Sequence, residues 1–136
     1  MTQSASESAL ARPPKSVLVV DDSLMIRRIV GQILQECGYR VMLAGDGHQG
    51  YESARTQQPD LVLMDLQMPG LDGFEAIHLL KKDPLTSRIP VLILTSVGSE
   101  DDMHRAREAG CLGFMNKPIC KKELTQSIAT ILNGGS

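Results

Sequence analysis

The sequence contains no tryptophan and only two tyrosines and two phenylalanines in 136 residues. A platform for stacking bases, or an aromatic cleft for sugars, is therefore not expected. Positive charge is not in excess either: 14 Lys and Arg against 16 Asp and Glu leave −2, with a pI near 5.9. A protein that holds nucleic acid through bulk charge needs a basic face, so no direct nucleic-acid partner is expected. No apolar run approaches the roughly 20 residues that cross a bilayer. The N-terminus lacks the basic stretch and apolar run of a signal peptide. No membrane association is expected, and a cytoplasmic location is. The three cysteines, Cys37, Cys111 and Cys120, are scattered without a CxxC pair. That pattern excludes a disulfide framework or zinc site and predicts buried or half-buried thiols in a reducing compartment. What the chain does have is 42% hydrophobic residues, mostly aliphatic. At about one ordinary domain length, that is enough for one packed core.

Residues 1–15 are small and polar, end near Pro13-Pro14, and read as a flexible N-terminal tail; residues 134–136 read as a loose C-terminus. Between them, over 16–133, strand and helix patterns alternate. Five short runs, beginning at Val17, Arg40, Leu61, Val91 and Gly113, are mostly apolar at every position rather than alternating. Strands of that kind are buried on both faces, as in a parallel sheet covered by helices. The stretches between them are amphipathic: Ile26, Ile29, Val30, Ile33, Leu34 and Cys37 fall at helical spacing, as do Leu124, Ile128, Ile131 and Leu132. Asp72 with Glu75 three residues on makes a capping-box pattern, and Asp83-Pro84 closes that helix. The architecture expected is a single (βα)5 domain of α/β class, a doubly wound five-stranded parallel sheet in strand order 2-1-3-4-5.

The residues that follow the strands carry the chemistry. Strand 1 ends in Asp21-Asp22, strand 3 in Asp65, strand 4 in Thr95, and strand 5 runs into Lys117. Open parallel sheets bind ligands outside the carboxyl ends of their strands, beside the point where strand order reverses. Strands 1 and 3 flank that point here, so three carboxylates, a hydroxyl and an ammonium converge on one pocket. Clustered carboxylates repel unless one is protonated or a cation sits among them. Hard oxygen ligands without His or Cys favour Mg2+. A divalent ion beside a hydroxyl and an ammonium suits a phosphoryl group, and a carboxylate can itself attack phosphorus.

Four segments in order, VLVVDDS (17–23), LVLMDLQMPGLDGFE (61–75), VLILTS (91–96) and GFMNKPI (113–119), each close a predicted strand. Together they resemble the receiver domain of two-component response regulators, a flavodoxin-like fold of the chemotaxis-regulator kind. The resemblance implies that Asp65 is the phosphoacceptor. It implies that Mg2+ is held by Asp22, by Asp21 largely through water, by Asp65 and by the backbone carbonyl of Gln67. Thr95 then matches the switch hydroxyl, Lys117 the amine that pairs with phosphoryl oxygens, and Phe114 the aromatic switch. Lys117-Pro118 matches the family's cis peptide. Implied partners are a sensor histidine kinase or histidine phosphotransfer protein, and a downstream protein or output domain that reads the surface of helix 4, strand 5 and helix 5. The chain would be a phosphoacceptor signalling domain that catalyses its own phosphorylation and slow dephosphorylation, not an enzyme acting on a separate substrate. It departs from the commonest pattern at Gln67, Phe114, Ile119 and Gly50, none of which removes a reactive group.

Two other classes fit the residues less well. An aspartate-nucleophile phosphatase wants a second acid two residues after the nucleophile, where this chain has Gln67, and usually a cap domain. A flavodoxin-like cofactor binder wants a phosphate loop after strand 1, where Asp21-Asp22 would repel a flavin phosphate. His48, His78 and His104 have no ligand partner at useful spacing and read as surface residues. Arg105, Arg107, Lys121 and Lys122 read as a solvated face or a partner surface.

Overall fold

A computed structural model describes residues 14–68, 70, 72–96 and 99–133 of the chain. Of the loose ends expected at 1–15 and 134–136, residues 1–13 and 134–136 lie outside the described residues, as does Pro69. Lys15, placed in the tail by sequence, already lies beside the sheet: its carbonyl accepts the Arg40 amide at 2.9 Å.

Ten elements alternate: β1 (Ser16–Val20), α1 (Leu24–Glu36), β2 (Arg40–Ala44), α2 (Gly47–Gln57), β3 (Leu61–Asp65), α3 (Gly73–Lys82), β4 (Val91–Thr95), α4 (Glu100–Glu108), β5 (Gly113–Asn116) and α5 (Lys121–Leu132). The strands form one parallel sheet in the order β2-β1-β3-β4-β5. Every residue of β1, β3 and β4 is buried, which explains why those three runs are apolar without alternation. The pleat sorts them into two cores. Val17, Val19, Leu61, Leu63, Leu92 and Leu94 face α1 and α5 through Val30, Leu34, Leu124 and Ile128. Leu18, Val20, Val62, Met64, Val91 and Ile93 face α2, α3 and α4 through Ala54, Ala76, Ile77, Leu80 and Ala106. Each fully buried aliphatic side chain contributes about 1.5–3 kcal/mol over its exposed state. β2, at the edge, buries only Ala44.

Helix starts follow local chemistry. The Ser23 hydroxyl accepts the Ile26 amide at 3.2 Å and caps α1. Asp72 and Glu75 form the expected capping box on α3, at 2.9 and 3.2 Å. α3 stops at Asp83, whose extended backbone precedes Pro84. One expectation is corrected: Cys37 and Cys120 are exposed, and Cys111 alone is buried. Cys37 is the residue that ends α1 and Cys120 the one that begins α5, so neither belongs to a helix's buried stripe. Ile29 is likewise 43% exposed, because α1 turns its neighbours Val30 and Leu34 to the sheet.

Candidate functional site

The sheet register delivers the predicted residues to one edge. Val20 pairs with Met64, so Asp21 and Asp65 leave adjacent strands at the same level. Asp65 in turn pairs with Leu94, which places Thr95 one step beyond, beside Asn116, with Lys117 next in the chain. Asp21, Asp22 and Asp65 each offer a carboxylate oxygen, and these lie within 4.8 Å of one another. Asp21 and Asp65 are buried while Asp22 is exposed, so the cluster opens to solvent on the Asp22 side.

Each buried acid is held by named donors. The Lys117 ammonium donates to Asp21 Oδ2 at 2.6 Å and stands 3.6 Å from Asp65 Oδ1, bridging the two strands. The Ser23 amide donates to Asp21 Oδ1 at 2.9 Å, and the Gln67 amide to Asp65 Oδ1 at 3.2 Å. The carboxyl of Asp65 titrates above the usual range. Burial is the main cause, Asp21 and Asp22 add to it, and the Gln67 amide and Lys117 pull the other way. That is the condition of an acid kept in a crowded anionic pocket with one cation in reach. The donor set, carboxylate oxygens open to water on one side, fits a hard divalent ion that keeps part of its hydration shell.

Thr95 is fully buried. Ile93 pairs with Phe114 and Thr95 with Asn116, so Thr95 and Phe114 share one face of the sheet by the period-two rule. That face is the one covered by α2, α3 and α4, where Phe114 packs half-buried. The Lys117 amide donates to the Thr95 carbonyl at 2.9 Å, and the Lys117–Pro118 peptide is cis. Of the predicted Gln67 carbonyl, the structure gives only its setting, in the turn whose amide binds Asp65.

Sequence reasoning gave Gly73 no role. A Cβ there would meet the Asp65 carbonyl oxygen at 2.3 Å and Leu66 Cα at 2.7 Å, so α3 can rest on the end of β3 only through a glycine. The signal was present: a poor helix former in the first helical position, directly after the Asp72 cap. The three histidines are exposed, and so are Arg105, Arg107, Lys121 and Lys122. Burial pushes the Cys111 thiol up to about 11, which leaves it a protonated core residue.

The family model described as the response regulator receiver domain matches residues 17–129. Protein PilH of Pseudomonas aeruginosa is 38% identical over 118 residues, covering 87% of this chain and 98% of its own. The polar-differentiation response regulator DivK of Brucella anthropi is 32% identical, with 88% and 97% covered. Among solved structures, the chemotaxis protein CheY4 of Vibrio cholerae superposes with a TM-score of 0.83 at 30% identity, covering 88% of this chain and 99% of that one.

Proposed function

This chain belongs to the receiver domain family of response regulators, whose general function is phosphoryl acceptance, and we propose that Asp65 is its phosphoacceptor. Receiver domains generally bind Mg2+ through acidic residues, and an aspartate cluster stands here at the strand ends. The residues that would hold the ion are Asp22, Asp65 and the Gln67 carbonyl, with Asp21 acting largely through water. Bound there, Mg2+ supplies positive charge that offsets the carboxylates and the incoming phosphoryl oxygens.

The chain's own residues do the rest. An Asp65 carboxylate oxygen attacks phosphorus; the bond from phosphorus to the donor breaks, and its electron pair leaves with the donor. The donor is a phosphohistidine of a sensor kinase or phosphotransfer protein. Lys117, already 3.6 Å from Asp65, turns its ammonium from Asp21 to the new phosphoryl oxygens. Thr95 moves its hydroxyl toward the same charge, and Phe114, on the same face, turns into the space released. The surface of α4, β5 and α5 changes with them and presents exposed Arg105, Arg107, Lys121 and Lys122 to a downstream protein or output domain. The chain acts as a signalling domain that catalyses its own phosphorylation and slow dephosphorylation. A cytoplasmic setting, where kinase donors and reduced thiols occur together, suits its three free cysteines.

The observation that carries this reading is the bridge of Lys117 across Asp21 and Asp65 beside exposed Asp22. Incubation with acetyl phosphate and Mg2+, followed by mass mapping, tests it. Wild type should be labelled at Asp65 and Asp65→Asn should stay unlabelled. Full labelling of the variant at another residue would refute the assignment.

A further inference from the structure

The two acids of the β1–α1 turn must both reach the pocket although they are adjacent in sequence, and the pocket's own charge repels them. The structure holds that turn from outside. Arg27, six residues on in α1, reaches back along the helix toward its N-terminus, the direction helical side chains favour. Its Nη1 donates to the Asp21 carbonyl at 2.6 Å. The bond goes to the backbone and not to a carboxylate, so it fixes the path of the chain and leaves the carboxylate oxygens free for other partners.

The neighbouring β2–α2 turn is shaped around this guanidinium. A Cβ on Gly45 would lie 3.1 Å from Arg27 Nη1. The Gly45 amide is tied to Gln49 Oε1 at 3.2 Å, and the Asp21 amide donates to the Ala44 carbonyl at 3.1 Å. Asp21 is thus gripped at its amide by β2, at its carbonyl by Arg27, and at its carboxylate by Lys117 and the Ser23 amide. Asp22 follows from that carbonyl and takes its direction from it. We infer that Arg27 is a positioning residue of the metal site, holding the Asp21–Asp22 peptide in the orientation that presents both carboxylates to Mg2+. The inference rests on the reading of Asp21 and Asp22 as the metal-holding pair.

The test titrates Mg2+ into wild type, Arg27→Ala, Arg27→Lys and the exposed neighbour variant Arg28→Ala, following amide chemical shifts, with thermal unfolding recorded without metal. Arg27→Ala should bind Mg2+ roughly tenfold more weakly, the low end of what outer partners of metal ligands contribute. Arg27→Lys should recover most of that loss by donating to the same carbonyl, and Arg28→Ala should match wild type. Gly45→Ala provides a second approach if Arg27→Ala fails to fold. Its methyl crowds the guanidinium and should weaken Mg2+ binding while leaving Arg27 in the sequence. Unchanged Mg2+ affinity in Arg27→Ala alongside a lowered melting temperature would overturn the inference and make Arg27 a purely structural anchor. Failure of wild type itself to bind Mg2+ would overturn the underlying metal-site reading instead.

Discussion

Helices α3 and α4 leave the same end of the sheet and flank the same pocket, yet α3 buries Gly73, Ala76, Ile77 and Leu80 whereas α4 buries Ala106 alone. α3 is also tied at both ends. A capping box holds its start, and at its close Asp83 accepts the Tyr51 hydroxyl at 2.7 Å and Arg55 Nε at 2.8 Å, both from α2. α4 has its Ser99 cap, 3.1 Å from the Asp102 amide, and a lateral stack, the Arg105 guanidinium lying 3.9 Å from the centre of the Phe74 ring on α3. The difference sorts two tasks. The strand that ends in Asp65 leads into a helix that cannot move without breaking core, so Asp65 stays in register with Asp21 and Lys117. The loop after Thr95 runs into a helix that can shift at small cost, and an element biased by a ligand needs a small gap between its states.

The largest expected effect probes the buried side. Leu80→Ala should destabilise the domain by about 2–5 kcal/mol, the range for deleting a buried leucine. Met103→Ala on α4, at a site 36% exposed, should stay within about 0.5 kcal/mol. Urea denaturation of the two variants measures both, and equal losses would erase the distinction between the helices.

How much of this was legible in the sequence depended on how local each feature is. β1, β3 and β4 announce themselves because burial on both faces selects apolar residues along their middles, and the acids, Thr95 and Lys117 stand out as the polar residues that end or follow those runs. The Asp72–Glu75 box was readable because its partners are three residues apart. Arg27 on the Asp21 carbonyl, Gly73 against Asp65, the Asp83 clasp and the Arg105 stack were not, because each joins groups that only tertiary packing brings together. Cys37 and Cys120 were misjudged because composition gives the average burial of a residue type, while these two stand where helices end and begin.

The Asp65 side carries a charge cost as well as a packing gain, and pH separates them. Burial raises the Asp65 pKa above its value in the unfolded chain. Between those two values the folded state holds a proton that the unfolded state lacks. Stability therefore falls as pH rises through that window, and the cost is fully present above the folded pKa. Asp65→Asn cannot ionise, so at neutral pH it should melt above wild type and lose that advantage as pH drops through the raised pKa toward the ordinary carboxylate range. Asp83, held below the usual range by the Tyr51 hydroxyl, loses its own contribution in acid in both proteins and drops out of the difference. Mg2+ should narrow the gap at neutral pH by stabilising wild type. Melting curves against pH check this, and an advantage independent of pH would assign the effect to packing.

The smallest expected effect lies at the Arg105–Phe74 stack between the two helices. Arg105 and Phe74 form one wall of a shallow groove of about 400 Å³, with Glu75, His78 and Leu79 completing it. An exposed cation–π contact contributes about 0.5–1 kcal/mol, so Arg105→Ala should barely move the denaturation midpoint. Its effect should be local and one-sided. α4 loses its lateral hold and opens more often, so its amides should exchange about two- to fivefold faster, the factor corresponding to that energy. The amides of α3, held by Ala76, Ile77, Leu80 and the Asp83 clasp, should exchange as before. Phe74→Leu should reproduce the pattern by removing the other half of the contact. Hydrogen exchange resolved by residue reads both helices in one experiment. If the first turn of α3 loosens as much as α4, the stack fastens the Asp65 side too, and the contrast in stiffness between the two flanks of the pocket fails.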